Sequence, residues 1–173
     1  MKKLILPLFV FAFLLISNRS FSQGWLPEPV KSPYADALIG TWTSLPYEFM
    51  GTKNNDIVTY NSILNGQYME INVKRTDNSG FIYEGKEIVV PSSDGTLKGT
   101  YYDIFGNERN TSYTGTMDGN KIILKSESLV GTGTREIIID GNTMIQNVTF
   151  SISDKSGNTM PEQKITITYK KSE

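Results

Sequence analysis

The chain has 173 residues, with 17 basic and 18 acidic side chains, and it contains neither histidine nor cysteine. Because histidine and cysteine supply the usual zinc, iron–sulfur and histidine-ligated haem sites, the composition excludes these sites together with disulfide bonds. We expect no metal and no cofactor, and the absence of a basic cluster argues against nucleic acid as a partner.

Residues 1–22 have the pattern of a secretory signal peptide. Two lysines precede an apolar run over residues 4–16, and small and polar residues follow it. This run is shorter than the ~20 residues that cross a bilayer, so we expect cleavage rather than anchoring. Cleavage between Ser22 and Gln23 predicts a secreted or periplasmic protein without an integral membrane segment. Since the chain has no cysteine, the new N-terminus cannot be lipidated.

Residues 23–37 predict an extended lead-in and a short helical turn. Several prolines lie in and just after this segment. Ser32 and Pro33 are suited to the N-cap and first position of a helix, so one turn is expected over residues 34–38. Such a turn could plug one end of a barrel. Residues 38–173 are then expected to form a single domain.

Turn signals recur along the rest of the chain and separate short runs rich in β-branched and aromatic residues. Pairs such as Asn65-Gly66, Asp118-Gly119 and Asp140-Gly141 supply the positive φ angles of tight hairpins. Apolar and polar residues alternate between them, as in residues 69–73, so each strand has one buried face. We predict ten strands: 39–45, 56–64, 68–75, 81–90, 96–104, 109–117, 121–128, 132–140, 143–153 and 163–171.

Consecutive hairpins of this kind favour an all-β fold, an antiparallel up-and-down β-barrel of about 8–10 strands with a short N-terminal helical turn. Closure into a barrel removes the exposed edges that an open sheet would have to protect.

Several motifs resemble those of known barrels. Gly40-Thr41-Trp42 on the first strand, with Tyr169-Lys170-Lys171 on the last, resembles the calycin superfamily. More specifically, the chain from Leu38 to Lys171 looks like an uncharacterised bacterial lipocalin-like family, on the segments 64–70, 102–106, 115–119 and 165–170. This resemblance implies a calycin-type barrel that binds a small hydrophobic or amphipathic molecule. It also implies structural roles for Gly40, Trp42 and a basic partner, Lys170 or Lys171. A related branch binds haem through histidine, which is missing here.

The alternation of the strands identifies candidate ligand contacts. The apolar parity turns six larger polar or aromatic side chains toward the interior: Tyr60, Tyr101, Arg109, Tyr113, Gln146 and Tyr169. A barrel of this size can hold one small ligand. Arg109 could anchor a carboxylate or another acidic headgroup through its guanidinium. Alternatively, Arg109 lies at the mouth of the barrel and extends to water.

Two other functions remain open at this point. Tyr101, Asp103 and Glu84 could provide acid–base chemistry for a hydrolase or isomerase in the cavity. Asp103 is also explained as a turn residue, and Glu84 with Lys86 as an exposed pair, so no catalytic residue is predicted. In the third case, side chains fill the interior and the protein has a structural role. Ligand binding is the favoured interpretation, with ligand and oligomeric state open.

Overall fold

A computed structural model of the protein describes residues 27–129, 131–153 and 158–172. The predicted signal peptide and its cleavage site lie outside the described residues. One helix, α1, is followed by eleven strands: α1 (Pro33–Leu38), β1 (Gly40–Ser44), β2 (Tyr47–Phe49), β3 (Thr52–Ile63), β4 (Tyr68–Asp77), β5 (Ile82–Pro91), β6 (Thr96–Asp103), β7 (Thr111–Asp118), β8 (Lys121–Ser128), β9 (Gly131–Asp140), β10 (Thr143–Ile152) and β11 (Gln163–Lys171). Within the described ranges, no helix has the length and apolar character needed to cross a membrane.

Ten of these strands form a closed antiparallel barrel. From β3 to β11 each strand pairs with the next, and β1 closes the ring by pairing with both β11 and β3. At this seam Trp42 lies opposite Lys171 on one side and Val58 on the other. The structure confirms the all-β class and the up-and-down order. The ten strands of the barrel also agree with the expected 8–10.

β2 was not predicted. It pairs with the first residues of β3, beyond the part of β3 that pairs with β1. The hairpin between them turns at Met50 and Gly51, which have φ angles of 49° and 77°. Three residues are too few to show a clear alternation, so the sequence pattern does not reveal this strand.

The strand expected over residues 109–117 begins later, at Thr111. Residues Asn107–Arg109 form a short 3-10 helix instead. Gly106 precedes it with a φ of 94°, a conformation that glycine adopts easily. The change of two residues matters because it removes Arg109 from the inner face of the barrel.

Helix α1 plugs one end of the barrel. Proline occupies its first turn, as expected, and both Tyr34 and Leu38 are fully buried. The indole Nε1 of Trp42 donates a hydrogen bond of 2.8 Å to the Leu38 carbonyl oxygen, which ties the helix to β1. Apolar side chains from many strands fill this end of the lumen: Met69, Val89, Leu97, Ile122, Ile139 and Met144.

The basic partner of Trp42 is Lys171, not Lys170. The Lys171 Nζ lies 5.2 Å from the centre of the Trp42 ring. Gly40, with a φ of 125°, leaves room for this side chain, because a Cβ there would lie 2.9 Å from Lys171 Cε. Lys170 is exposed and donates to the Thr143 hydroxyl over 2.6 Å. Successive side chains of a strand point to opposite faces, which explains why only one of the two lysines reaches the tryptophan.

Candidate functional site

A cavity of about 240 Å³ lies inside the barrel, at the end away from α1. Its walls include fully buried side chains such as Gln146 and half-buried ones such as Thr149 and Phe150, so it opens to solvent. An engineered cavity of about 150 Å³ holds benzene, and drug-sized ligands occupy about 300–1,000 Å³. The cavity therefore suits a molecule with one ring or a short chain.

Five of the six predicted ligand residues line this cavity: Tyr60, Tyr101, Tyr113, Gln146 and Tyr169. Arg109 does not. It lies in the 3-10 helix before β7, where its guanidinium carbon is 4.8 Å from the centre of the Phe105 ring. The structure therefore places Arg109 outside the cavity, in agreement with the alternative that it lies at the barrel mouth.

Asp56 on β3 is the centre of a first buried polar cluster. Only 1% of this residue is exposed. Arg75 on β4 donates to it through Nε (2.9 Å to Oδ1) and Nη2 (3.1 Å to Oδ2). The hydroxyl of Tyr47 donates to Oδ1 over 2.7 Å, and that of Tyr169 donates to Oδ2 over 3.1 Å. A carboxylate offers about four acceptor positions, so Asp56 is saturated.

Glu87 on β5 is the centre of a second cluster and is also 1% exposed. Arg135 on β9 donates to both of its oxygens, from Nη1 to Oε1 and from Nη2 to Oε2, each over 2.8 Å. The Tyr113 hydroxyl donates to Oε2 over 2.8 Å. Because β5 and β9 are four strands apart in the ring, this ion pair crosses the lumen.

The two clusters affect the ionisation of their members. Burial is the largest single influence on the pKa of Arg135 and lowers it. The charge and hydrogen bonds of Glu87, together with Tyr113 and Tyr60, raise this pKa well above its usual value. Burial is the main cause that raises the pKa of Tyr113 and Tyr169, and the nearby carboxylates raise it further. The arginines therefore stay charged, and these tyrosines stay neutral and donate to the buried carboxylates.

Tyr34 of α1 adds a buried hydroxyl on the plugged side. Among the described residues this hydroxyl has no hydrogen-bond partner. Burial raises the pKa of Tyr34, and the nearby side chains of Tyr60 and Glu87 raise it further. Tyr34 therefore lies within electrostatic reach of the ion pair that crosses the lumen.

Aromatic rings surround the guanidinium of Arg75 near the open end. Its central carbon lies 5.6, 5.2 and 5.6 Å from the ring centres of Tyr47, Phe49 and Tyr83. Phe49 in turn contacts Phe150 on β10, with ring centres 5.9 Å apart. Aromatic rings from β2, β5 and β10 therefore lie together near the open end of the barrel.

A third cluster joins Tyr83, Tyr101 and Asp103. The Tyr83 hydroxyl donates to Asp103 Oδ2 over 3.1 Å and is hydrogen-bonded to the Tyr101 hydroxyl. Asp103 also accepts the backbone N–H of Phe105 over 2.9 Å, which is the expected turn role.

Glu84 does not join this cluster. It lies on the outer face of β5 and is exposed. Lys86, its expected neighbour in an exposed pair, makes its ion pair with Glu70 instead, over 2.5 Å. The three residues considered for acid–base chemistry are therefore not assembled in one site.

Two glycines make room for the lumenal tyrosines. A Cβ at Gly85 would lie 2.0 Å from the Tyr101 hydroxyl, and a Cβ at Gly99 would lie 2.4 Å from Cζ of Tyr113. Both tyrosine rings therefore pack directly on the backbone of a neighbouring strand. A side chain at either glycine would displace the tyrosine from its hydrogen bonds.

The four charged residues of the lumen are not among the predicted site residues, although their positions in the sequence carry a signal. Asp56, Arg75, Glu87 and Arg135 each lie two residues from a buried or half-buried apolar residue on the same strand. By the period of a strand, they share its inner face. Charged side chains are rarely buried unless paired, so four on inner faces indicate an internal polar network.

Comparison with known proteins adds information on the fold. No protein-family model matches the chain, and no curated protein matches it. The crystal structure of Rv2717c from M. tuberculosis is similar with a TM-score of 0.63 and 11% identity, over 81% of this chain and 96% of that chain. The structure of EF1p2_mFAP2b bound to DFHBI aligns over 80% of this chain and 96% of that chain, with a TM-score of 0.43 and 16% identity. At 11% identity, the similarity to Rv2717c supports the fold alone, a closed antiparallel β-barrel.

Proposed function

We propose that the protein binds one small organic molecule, with an apolar body and a polar end, in the cavity of its barrel. One observation carries this proposal: a solvent-connected cavity of about 240 Å³ combines apolar wall residues with two arginines and several tyrosine hydroxyls. A few convergent polar groups in an otherwise apolar pocket are typical of small-molecule sites. The ligand is either largely apolar or has an acidic headgroup.

Apolar contacts alone would give weak binding. The apolar wall consists of Val58, Val73, Leu124, Val148, Phe150 and Ile167. Burial of about 150 Å² of ligand surface at ~25 cal/mol/Å² contributes about 4 kcal/mol, whereas association costs about 4–15 kcal/mol. Hydrogen bonds to the polar groups of the lumen must therefore contribute to affinity.

The state of the two buried acids favours binding over catalysis. A general base needs a lone pair that can reach the substrate. The oxygens of Asp56 accept four hydrogen bonds, and those of Glu87 accept three, two of them from Arg135. The cavity itself argues against the third alternative, an interior filled by side chains.

We further propose that the protein is lipocalin-like and acts in a secreted or periplasmic location. The pattern of residues 1–22 supports the location, and the barrel architecture supports the comparison with lipocalins. The mass of the protein isolated from its own host tests the first part. A mass that begins at Gln23, in the extracellular or periplasmic fraction, is expected, and an intact N-terminus in the cytoplasm would contradict it.

The binding proposal is tested by blocking the cavity. Ser126 on β8 lines the cavity, whereas Thr114 on the adjacent β7 is exposed on the outer face. In Ser126→Phe the new ring enters the lumen, and Thr114→Phe adds the same ring outside. Native mass spectrometry of protein from its host, with ligand-observed NMR on single-ring fragments, measures occupancy.

We expect a retained molecule or a binding fragment with the unmodified protein and with Thr114→Phe, and loss of binding with Ser126→Phe. The proposal fails if the unmodified protein retains nothing and binds no fragment. It also fails if both variants bind equally well.

A further inference from the structure

We infer that the ligand of this cavity presents a carboxylate, and that Arg75 and Arg135, rather than Arg109, recognise it. This inference rests on the binding function proposed above and names the chemistry of the polar end. It is supported by the edge of each guanidinium that the ion pairs leave unused.

A guanidinium has five N–H donors, arranged so that two of its edges can each hold a carboxylate in a bidentate way. One edge joins Nε and Nη2, and the other joins Nη1 and Nη2. Arg75 holds Asp56 through Nε and Nη2. Its Nη1–Nη2 edge is therefore not used by Asp56.

Arg135 uses the other edge. It holds Glu87 through Nη1 and Nη2, which leaves the edge between Nε and Nη2. Both arginines line the cavity, and 24% of each side chain is exposed, compared with 1–2% for their carboxylate partners. The acids are thus enclosed, while both arginine side chains border the cavity.

The two buried carboxylates have few free acceptor positions. Asp56 has four hydrogen bonds and Glu87 has three, and each receives them from one arginine and from tyrosine hydroxyls. Around Arg75, the rings of Tyr47, Phe49 and Tyr83 lie within 5.2–5.6 Å of the guanidinium carbon. A ligand with two adjacent acceptor oxygens fits the unused edges, whereas an ammonium group would find both carboxylates already held and would face two guanidinium charges.

Matched single-ring fragments test this on the unmodified protein. Benzoate, benzyl alcohol and benzylamine share the ring and differ in the polar end. Because hydrogen bonds between charged groups are stronger than neutral ones, we expect benzoate to bind about tenfold or more tighter than benzyl alcohol, with benzylamine weakest. Ligand-observed NMR titration measures all three. The inference would be overturned if benzylamine bound as tightly as benzoate or more tightly.

Variants identify the donors. Arg75→Lys and Arg135→Lys keep a positive charge beside Asp56 and Glu87, but an ammonium has no second bidentate edge. Each is expected to reduce the preference for benzoate over benzyl alcohol several-fold while benzyl alcohol still binds. Arg109→Lys is the matched control and should leave the preference unchanged. If both lumenal variants are folded by circular dichroism and keep the full preference, the assignment is wrong. If either fails to fold, the fragment series on the unmodified protein decides.

These outcomes separate the two proposals. If benzyl alcohol or benzylamine binds as well as benzoate, and Ser126→Phe abolishes it, the binding function stands and the carboxylate inference fails. If none of the three fragments binds and no molecule is retained from the host, the binding function fails and the inference fails with it.

Discussion

Arg135 on β9 reaches across the lumen to Glu87 on β5 and holds both carboxylate oxygens at 2.8 Å. The two residues are 48 positions apart and four strands apart in the ring. This ion pair connects facing walls of the barrel, so it joins parts of the sheet that strand pairing does not join directly. The apolar plugged end lies on one side of it and the cavity extends along the other.

Arg135→Met should destabilise the protein strongly. It leaves the Glu87 charge buried without its main partner, for which a loss of about 3–5 kcal/mol in the free energy of unfolding is expected. Urea unfolding followed by circular dichroism measures the loss. The double variant Glu87→Gln with Arg135→Met removes both charges and should recover at least half of it. Equal stability of the single and double variants would contradict the role of this pair.

Gly99→Ala should displace Tyr113. A methyl group there would lie 2.4 Å from the tyrosine Cζ, so the ring must move and its hydrogen bond to Glu87 is lost. Overpacking of this kind costs about 1–3 kcal/mol. In a Tyr113→Ala background the same substitution has no ring to displace. The destabilisation caused by Gly99→Ala should there be less than half of its value in the unmodified protein. Thermal unfolding of the four proteins gives the comparison, and equal costs in both backgrounds would refute it.

Alkaline pH should destabilise the fold. Burial raises the pKa of lumenal tyrosines, which include Tyr60, Tyr101 and Tyr113. In the unfolded chain a tyrosine ionises near pH 10. Above about pH 10 the unfolded state therefore loses protons that the folded state keeps, and the free energy of unfolding falls as pH rises.

The measurement is urea unfolding from neutral pH to about pH 11, with phenolate absorbance recorded in parallel. Tyr113→Phe removes one of these groups and should reduce the slope of stability against pH in this range. A slope unchanged by this substitution would show that Tyr113 does not contribute. Ionisation of all the tyrosines before unfolding would contradict their burial in the lumen.

Trp42→Phe should loosen α1. The substitution removes the hydrogen bond from Nε1 to the Leu38 carbonyl and part of a fully buried ring. A net loss of about 2–4 kcal/mol is expected from the hydrogen bond and the cavity together. Lys171→Met keeps most of the packing on the indole and serves as the control, with a loss below about 1 kcal/mol. Hydrogen exchange should increase in Trp42→Phe at the amides of Asp36 and Ile39, which donate to the Ser32 and Ala35 carbonyl oxygens. Unchanged exchange there would count against the tie between α1 and β1.

Local signals in the sequence predicted most of the fold. The positive φ angles at Asn65, Gly66, Gly119 and Gly141 confirm the turns that separate the strands. The alternation of apolar and polar residues between the turns identified the inner faces of the strands. Four predicted tyrosines and one predicted glutamine therefore line the cavity. These features depend on residues that are close in the chain, so they can be read from it directly.

The pairing of the lumenal charges could not be predicted in the same way. The inner position of Arg135 follows from its strand, but its partner depends on how far the ring is sheared when it closes. For Arg109 the local prediction itself was wrong. The sequence pattern predicted a strand at this residue, but the residues after Gly106 form a 3-10 helix. A shift of two residues was enough to move the expected anchor out of the cavity.

The seam between β1 and β11 has a consequence for folding kinetics. The hydroxyls of Thr43 and Ser172 meet there although they are 129 residues apart along the chain. Contacts between such distant residues are slow to form because a long loop must close first. The hairpins from β3 to β10 can assemble early from neighbouring residues, and the annealing of the last strand to the first then becomes the slow step. Before the seam closes, one edge of β1 and one edge of β11 would be unpaired, and we expect self-association to compete at this stage.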